Sequence, residues 1–112
     1  MMCIDNSPPT GLVDHNPARQ NVAGYAYIGE NIYASSGQAS GLDAVDVWAE
    51  EKANYDPASG NCTGGVCGHY TQVVWRTTTH VGCALYDCPG LRYSGTVLCN
   101  YGPGGNSGGK AY

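Results

Sequence analysis

The sequence predicts an α+β domain on three observations: a helix-patterned segment at 42–54, two strand-patterned runs at 81–87 and 96–101, and six cysteines among 112 residues. A chain of this length buries a modest core and usually draws on cross-links. An even cysteine count in a Gly-rich and Tyr-rich chain points to disulfides and an oxidising compartment. The six are Cys3, Cys62, Cys67, Cys83, Cys88 and Cys99. Neither the Cys62–Cys67 spacing nor the Cys83–Cys88 spacing is the short gap of a zinc ribbon, so bridges are expected rather than metal.

The helix, "LDAVDVWAEEKAN", has Ser40 before it as an N-cap, with Asp43 three residues later, and Pro57 beyond its end. Helical spacing sets Asp43, Asp46, Glu50 and Asn54 on one side. Ala44, Val47, Trp48 and Tyr55 line another, and Glu51 falls among them. Lys52 also falls there, where its stem can lie along apolar surface. A carboxylate directed inward needs a hydrogen-bonding partner. Glu51 is therefore the first candidate to meet His69 of "CGHYTQVVWR".

A Gly/Asn/Ser-rich loop follows, then a short Cys62–Cys67 loop expected to close on its own bridge, with the other pairings open. The runs "VGCALYD" and "TVLCNY", joined by the turn-rich "CPGLRYSG", read as a hairpin. The tail "GPGGNSGGKAY" is too rich in glycine for regular structure. Upstream, "GYAYIGENIYASSG" reads as a short extended run containing Glu30. In "HYTQVVW", the residues Thr71, Val73 and Val74 and the aromatics favour a strand by propensity. Asn61-Cys62-Thr63 is a sequon, which makes Asn61 a glycosylation candidate.

Formal charge is −4 with only five Lys and Arg, which argues against nucleic acid or an anionic membrane as partner. No run of about eighteen apolar residues exists to span a bilayer. The opening "MMCIDNSPPTG" has neither the basic nor the apolar region of a signal peptide, so that signal is expected to be absent from this sequence.

Four stretches, in order, carry a family resemblance: "HNPAR" at 15–19, "GENI" at 29–32, "GHYTQVVWRTT" at 68–78 and "CNYGPGGN" at 99–106, with Trp48-x-x-Glu51 between the second and third. Together they resemble the CAP superfamily of cysteine-rich secretory, antigen 5 and pathogenesis-related proteins, and most of all its plant group-one pathogenesis-related branch. The resemblance implies a three-layer α-β-α sandwich, secreted and disulfide-bonded, in which "GHYTQ" opens a short helix. It also implies a cleft of two histidines and two glutamates. Carried over by motif, these are Glu30, Glu51 and His69, while Tyr25 stands where the second histidine is expected. The family places a long helical segment between "HNPAR" and "GEN", and here only the residues between Arg19 and Gly29 are available. The sandwich is thus expected to be incomplete on one helical layer. The expected organisation is a poorly ordered segment at 1–13 and a CAP domain at 14–112 with an internal deletion. Three alternatives stay open for the lost helix: replacement by the N-terminal segment, an apolar face left uncovered, or a fragment of a longer chain.

His69, Glu30 and Glu51 make a poor zinc set with one imidazole, so no cofactor is expected. Ser35 and Ser36 have no assigned base, and no substrate is indicated for a Glu–His pair. His69 is expected to hydrogen-bond Glu51 or Glu30 and to order the cleft rather than catalyse. The resemblance implies a secreted, monomeric, non-enzymatic plant defence protein of the apoplast or vacuole. It would bind sterol or related lipid and act on fungal or oomycete membrane components. It would also be a candidate allergen. One alternative is a precursor releasing Pro103 to Tyr112, which keeps Pro103, Gly105, Asn106 and Tyr112 of a peptide pattern but has Ala111 where proline is expected. A zinc hydrolase is disfavoured by the missing histidine.

Overall fold

A computed structural model describes residues 18–87 and 93–112. Cys3, Cys88 and the 1–13 segment lie outside the described residues. Two short strands, β1 (Gln20–Val22) and β2 (Tyr25–Tyr27), form a hairpin in the interval between Arg19 and Gly29. The extended run continues as β3 (Gly29–Ser35), followed by α1 (Gly41–Glu50), a 3-10 turn (Glu51–Asn54), β4 (Tyr55–Asp56) and β5 (Asn61–Cys62). Next come α2 (Gly68–Val73), β6 (His80–Asp87) and β7 (Gly95–Gly102). The strands β3, β7 and β6 make one antiparallel sheet in that order, with β7 central and β6–β7 the expected hairpin.

Ser40 has extended backbone, and its hydroxyl accepts from the Asp43 N–H at 3.2 Å, which is the expected cap. From there Ala44 and Trp48 pack on Val97, Cys99 and Tyr101 of β7, with Tyr33 and Ala39 at the margin. Val47, expected in this core, is 43% exposed, and Lys52 is exposed as well. The buried line runs through Ala44, Trp48 and Glu51, and Val47 lies about 60° to one side of it. A second cluster joins Tyr55, Cys67, Tyr70 and Ala111, flanked by Val74 and Trp75.

Bridges join Cys62 to Cys67, as expected, and Cys83 to Cys99 across the paired strands β6 and β7. The strand reading of "HYTQVVW" is overturned, because residues 68–73 are helical. Propensity lost to tertiary context, since three successive side chains of this segment, Tyr70, Thr71 and Gln72, are buried in different directions. Among the described residues no helix is long and apolar enough to cross a membrane.

The tail has no regular structure, as read, yet it is built into the fold. The Gly105 N–H donates to Gln72 Oε1 at 2.8 Å, and the Ala111 N–H to the Tyr55 hydroxyl at 3.0 Å. The Arg76 N–H donates to the Ala111 carbonyl at 2.7 Å, and Lys110 donates to the Ala58 carbonyl. Release of Pro103–Tyr112 would break all four contacts and uncover Tyr55 and Tyr70. Within the tail, Pro103, Asn106–Lys110 and Tyr112 are exposed, whereas Gly105 and Ala111 are buried.

Candidate functional site: the Glu51 and His69 pair

An α-helix leaves its first N–H groups without partners inside the helix. In α2, two of those donors, the His69 and Tyr70 N–H groups, both reach Glu51 Oε1 at 3.0 Å. The second carboxylate oxygen, Oε2, sits 2.7 Å from His69 Nδ1. A carboxylate accepts only, so Nδ1 is the donor of this contact. Glu51 therefore acts as a cap supplied by a different helix, and its charge suits the positive end of α2. The His69 ring lies parallel to the Trp48 indole, with 6.2 Å between centroids and 8° between planes. Its side chain keeps 35% exposure against 15% for Glu51.

The neighbours of His69 extend the pattern: His69 holds the end of α1, while Tyr70, Thr71 and Gln72 each hold a different residue of the tail. The Tyr70 hydroxyl meets the Tyr112 hydroxyl at 2.9 Å. Thr71 donates to Asn106 Oδ1 at 2.6 Å, while Asn106 Nδ2 donates to the Gly68 carbonyl at 2.8 Å. Gln72, 2% exposed, takes the Gly105 N–H and donates to Thr78 Oγ1 at 3.3 Å. Its amide crosses so close to β3 that any side chain on Gly29 would overlap Gln72 Oε1. The glycines of "GEN" and "GPGG" and the glutamine of "GHYTQ" are thus parts of one joint. Burial pushes the Tyr70 phenol up to about 12, with Tyr112 adding to the rise. Burial also raises Tyr101, and the hydrogen bond from Asn31 partly offsets it.

The structure brings Glu51 and His69 together and leaves Glu30 apart from them. Asn31 donates to the His69 carbonyl at 3.0 Å and to the Tyr101 hydroxyl at 3.3 Å, so its side chain lies on the helix-covered face. Adjacent strand residues point to opposite faces. Glu30, 8% exposed, therefore faces away from His69, and its charge helps raise the Tyr86 phenol, although burial of Tyr86 is the larger cause. Among the described residues no three His, Cys, Asp or Glu side chains converge. With both Glu51 oxygens engaged and Glu30 on the other face, these residues do not fit a zinc centre.

Tyr25 is separate again. Its hydroxyl meets His80 Nδ1 at 3.0 Å, the same nitrogen that Thr79 Oγ1 approaches at 2.8 Å, and its ring packs over Gly102. This pair borders an apolar cavity of about 240 Å³ with Ile28, Val81 and Tyr101. Sequence reasoning passed over His80 and Asn31, and gave Asn106 only as part of the peptide pattern, not as a partner of Thr71. His80 lies 55 residues from Tyr25, and no local pattern links the two.

The family model described as CAP, the cysteine-rich secretory protein family, matches residues 2–101. The chain belongs to the CAP family. Over 79 residues it is 52% identical to pathogenesis-related protein 1 of Arabidopsis thaliana, covering 70% of this chain and 47% of that protein. It is 37% identical over 130 residues to the basic form of pathogenesis-related protein 1 of Nicotiana tabacum, covering 90% and 72%. Among solved structures, Schistosoma mansoni venom allergen-like protein 4 superposes with a TM-score of 0.67 at 29% identity, covering 82% of this chain and 55% of that one. Na-ASP-1 superposes at 0.62 with 33% identity, covering 76% and 24%. This CAP chain thus spans about half the length of the Arabidopsis relative. Its mixed helix and sheet architecture is that of the CAP fold, and its described helices pack on one face of the sheet.

Proposed function

We propose that this CAP domain is a secreted plant defence protein of the pathogenesis-related 1 type. It acts without catalysis, as a monomer in the apoplast or vacuole, by binding a sterol or related lipid of fungal or oomycete membranes. The relatives named above support the defence reading. The commitment of both Glu51 oxygens to α2 supports the absence of catalysis, because a carboxylate saturated by structural donors is a poor general base.

One observation carries the lipid reading. Val81 and Leu85, 61% and 55% exposed, stand on one face of β6, and Val81 lines the apolar cavity bordered by Tyr25 and His80. At strand rise they lie about 13 Å apart, a length that suits a fused-ring sterol. The cavity is smaller than the pockets that usually enclose ligands of that size. The sterol would therefore lie along β6, with its hydroxyl at the Tyr25–His80 pair. Binding of a labelled sterol to oxidised protein tests this: saturable uptake, weakened by Val81→Asp, is the expected result. Uptake that does not saturate, or that Val81→Asp leaves unchanged, removes the lipid reading.

A further inference from the structure

We propose that Asn61 is an N-glycan acceptor whose occupancy competes with closure of the Cys62–Cys67 bridge. Asn61 is exposed, and its carboxamide makes no hydrogen bond among the described residues; its backbone N–H donates to Ser59 Oγ at 3.1 Å. In β5 it pairs opposite Asp56, while Cys62 pairs opposite Tyr55 and turns inward to Cys67. Alternation along the strand then sends the Asn61 side chain to solvent. Gly60 and Cys62, but not Asn61, line the cavity of about 300 Å³ between α2 and the tail. A sugar on Asn61 therefore meets no packed surface, and the fold accommodates it.

In the transfer, Asn61 Nδ2 attacks the anomeric carbon of a polyprenyl-pyrophosphate-linked oligosaccharide, the donor of the secretory pathway. The new N–C bond forms as the C–O bond to pyrophosphate breaks. The pyrophosphate leaves with the electron pair, and the amide proton passes to a base of the transferase. An acceptor triplet must be bound as free chain. Here the middle residue of the triplet is a half-cystine, and Thr63 donates its N–H to the Asn54 carbonyl at 2.7 Å. Once bridge and hairpin have closed, the triplet is held on both sides, so transfer must come first. Conditions that delay the bridge raise occupancy.

This proposal rests on the secretory reading, and its test is chosen to keep the two apart. The full chain, behind a cleavable leader, is translated into microsomes with and without a thiol reductant, and its mass is read before and after glycosidase treatment. The expected result is one glycosidase-sensitive increment on a fraction of the chains. That fraction rises with reductant and in Cys67→Ser, and the increment is lost in Asn61→Gln and Thr63→Ala. No increment under either condition, an increment that survives Asn61→Gln, or occupancy indifferent to reductant and to Cys67→Ser overturns the proposal. Because the leader delivers the chain, none of these outcomes bears on secretion itself. Absence of the natural protein from extracellular fluid would count against secretion alone.

Discussion

Replacing Glu51 with alanine removes the acceptor of three hydrogen bonds at once: the N–H groups of His69 and Tyr70 and the ring N–H of His69. A hydrogen bond to a charged group contributes about 1.5–3 kcal/mol, and loss of a helix cap costs about 0.5–2 kcal/mol. Glu51 retains 15% exposure, so water can reach part of what the variant frees. The net cost should be about 2–4 kcal/mol, a large share of the roughly 5–15 kcal/mol that holds a domain of this size. The melting temperature should fall on the order of 10 °C. Urea unfolding of oxidised protein, with the slope m compared between variants, is the assay. Glu51→Gln keeps one carbonyl acceptor for the backbone donors but turns an amide N–H₂ toward His69, so it should lie between wild type and Glu51→Ala. A functional residue held in place by others often gains stability when removed. A change within about 0.5 kcal/mol of wild type, or a gain in stability, would refute the capping argument.

Gly29→Ala should cost more than about 2 kcal/mol, because the new methyl overlaps the buried Gln72 amide and breaks its bond to Gly105; thermal unfolding reads it, and a neutral outcome would contradict the joint. By loop length, losing the Cys83–Cys99 bridge should cost about 3 kcal/mol and losing Cys62–Cys67 about 2 kcal/mol, which paired Cys→Ser variants can rank in urea. Tyr70 is raised from 10.0 to about 12 in the folded state, so the native protein keeps this proton where the unfolded chain releases it. That stabilisation is complete below pH 10 and is lost as pH rises through about 12, and a pH series of unfolding midpoints should show the fall, smaller in Tyr112→Phe. Val81→Asp and Leu85→Asp should each weaken sterol binding by about tenfold or more, from apolar burial worth about 1.5–3 kcal/mol per side chain, with circular dichroism confirming an intact fold.

Much of this architecture is legible in the residues. Ser40 announces the start of α1, and the 3.6-residue period places Glu51 on the inward side with Trp48, which is where the carboxylate is found. The alternation of "VGCALYD" and "TVLCNY" yields the β6–β7 pairing. What stayed hidden depends on distant parts of the chain. The β-branched residues of "HYTQVVW" favour a strand, and the segment is helical because a carboxylate 18 residues earlier satisfies its first donors. Glu30 and Asn31 are neighbours, and only the docking of α1 and α2 decides which of them faces His69. Tyr25 reads as a vacant histidine position, yet the imidazole it meets comes from the start of β6. The glycine-rich tail reads as loose because composition does not reveal that Gln72 and Tyr55 bind its backbone.

The central claim is that the Glu51–His69 pair is a structural clasp between the end of α1 and the start of α2. A double-mutant cycle with Glu51→Ala, His69→Ala and the double variant, each unfolded in urea, tests it most directly. The account predicts a coupling of about 1–2 kcal/mol, with the double variant less unstable than the sum of the two singles. Additive losses, with coupling near zero, would contradict it.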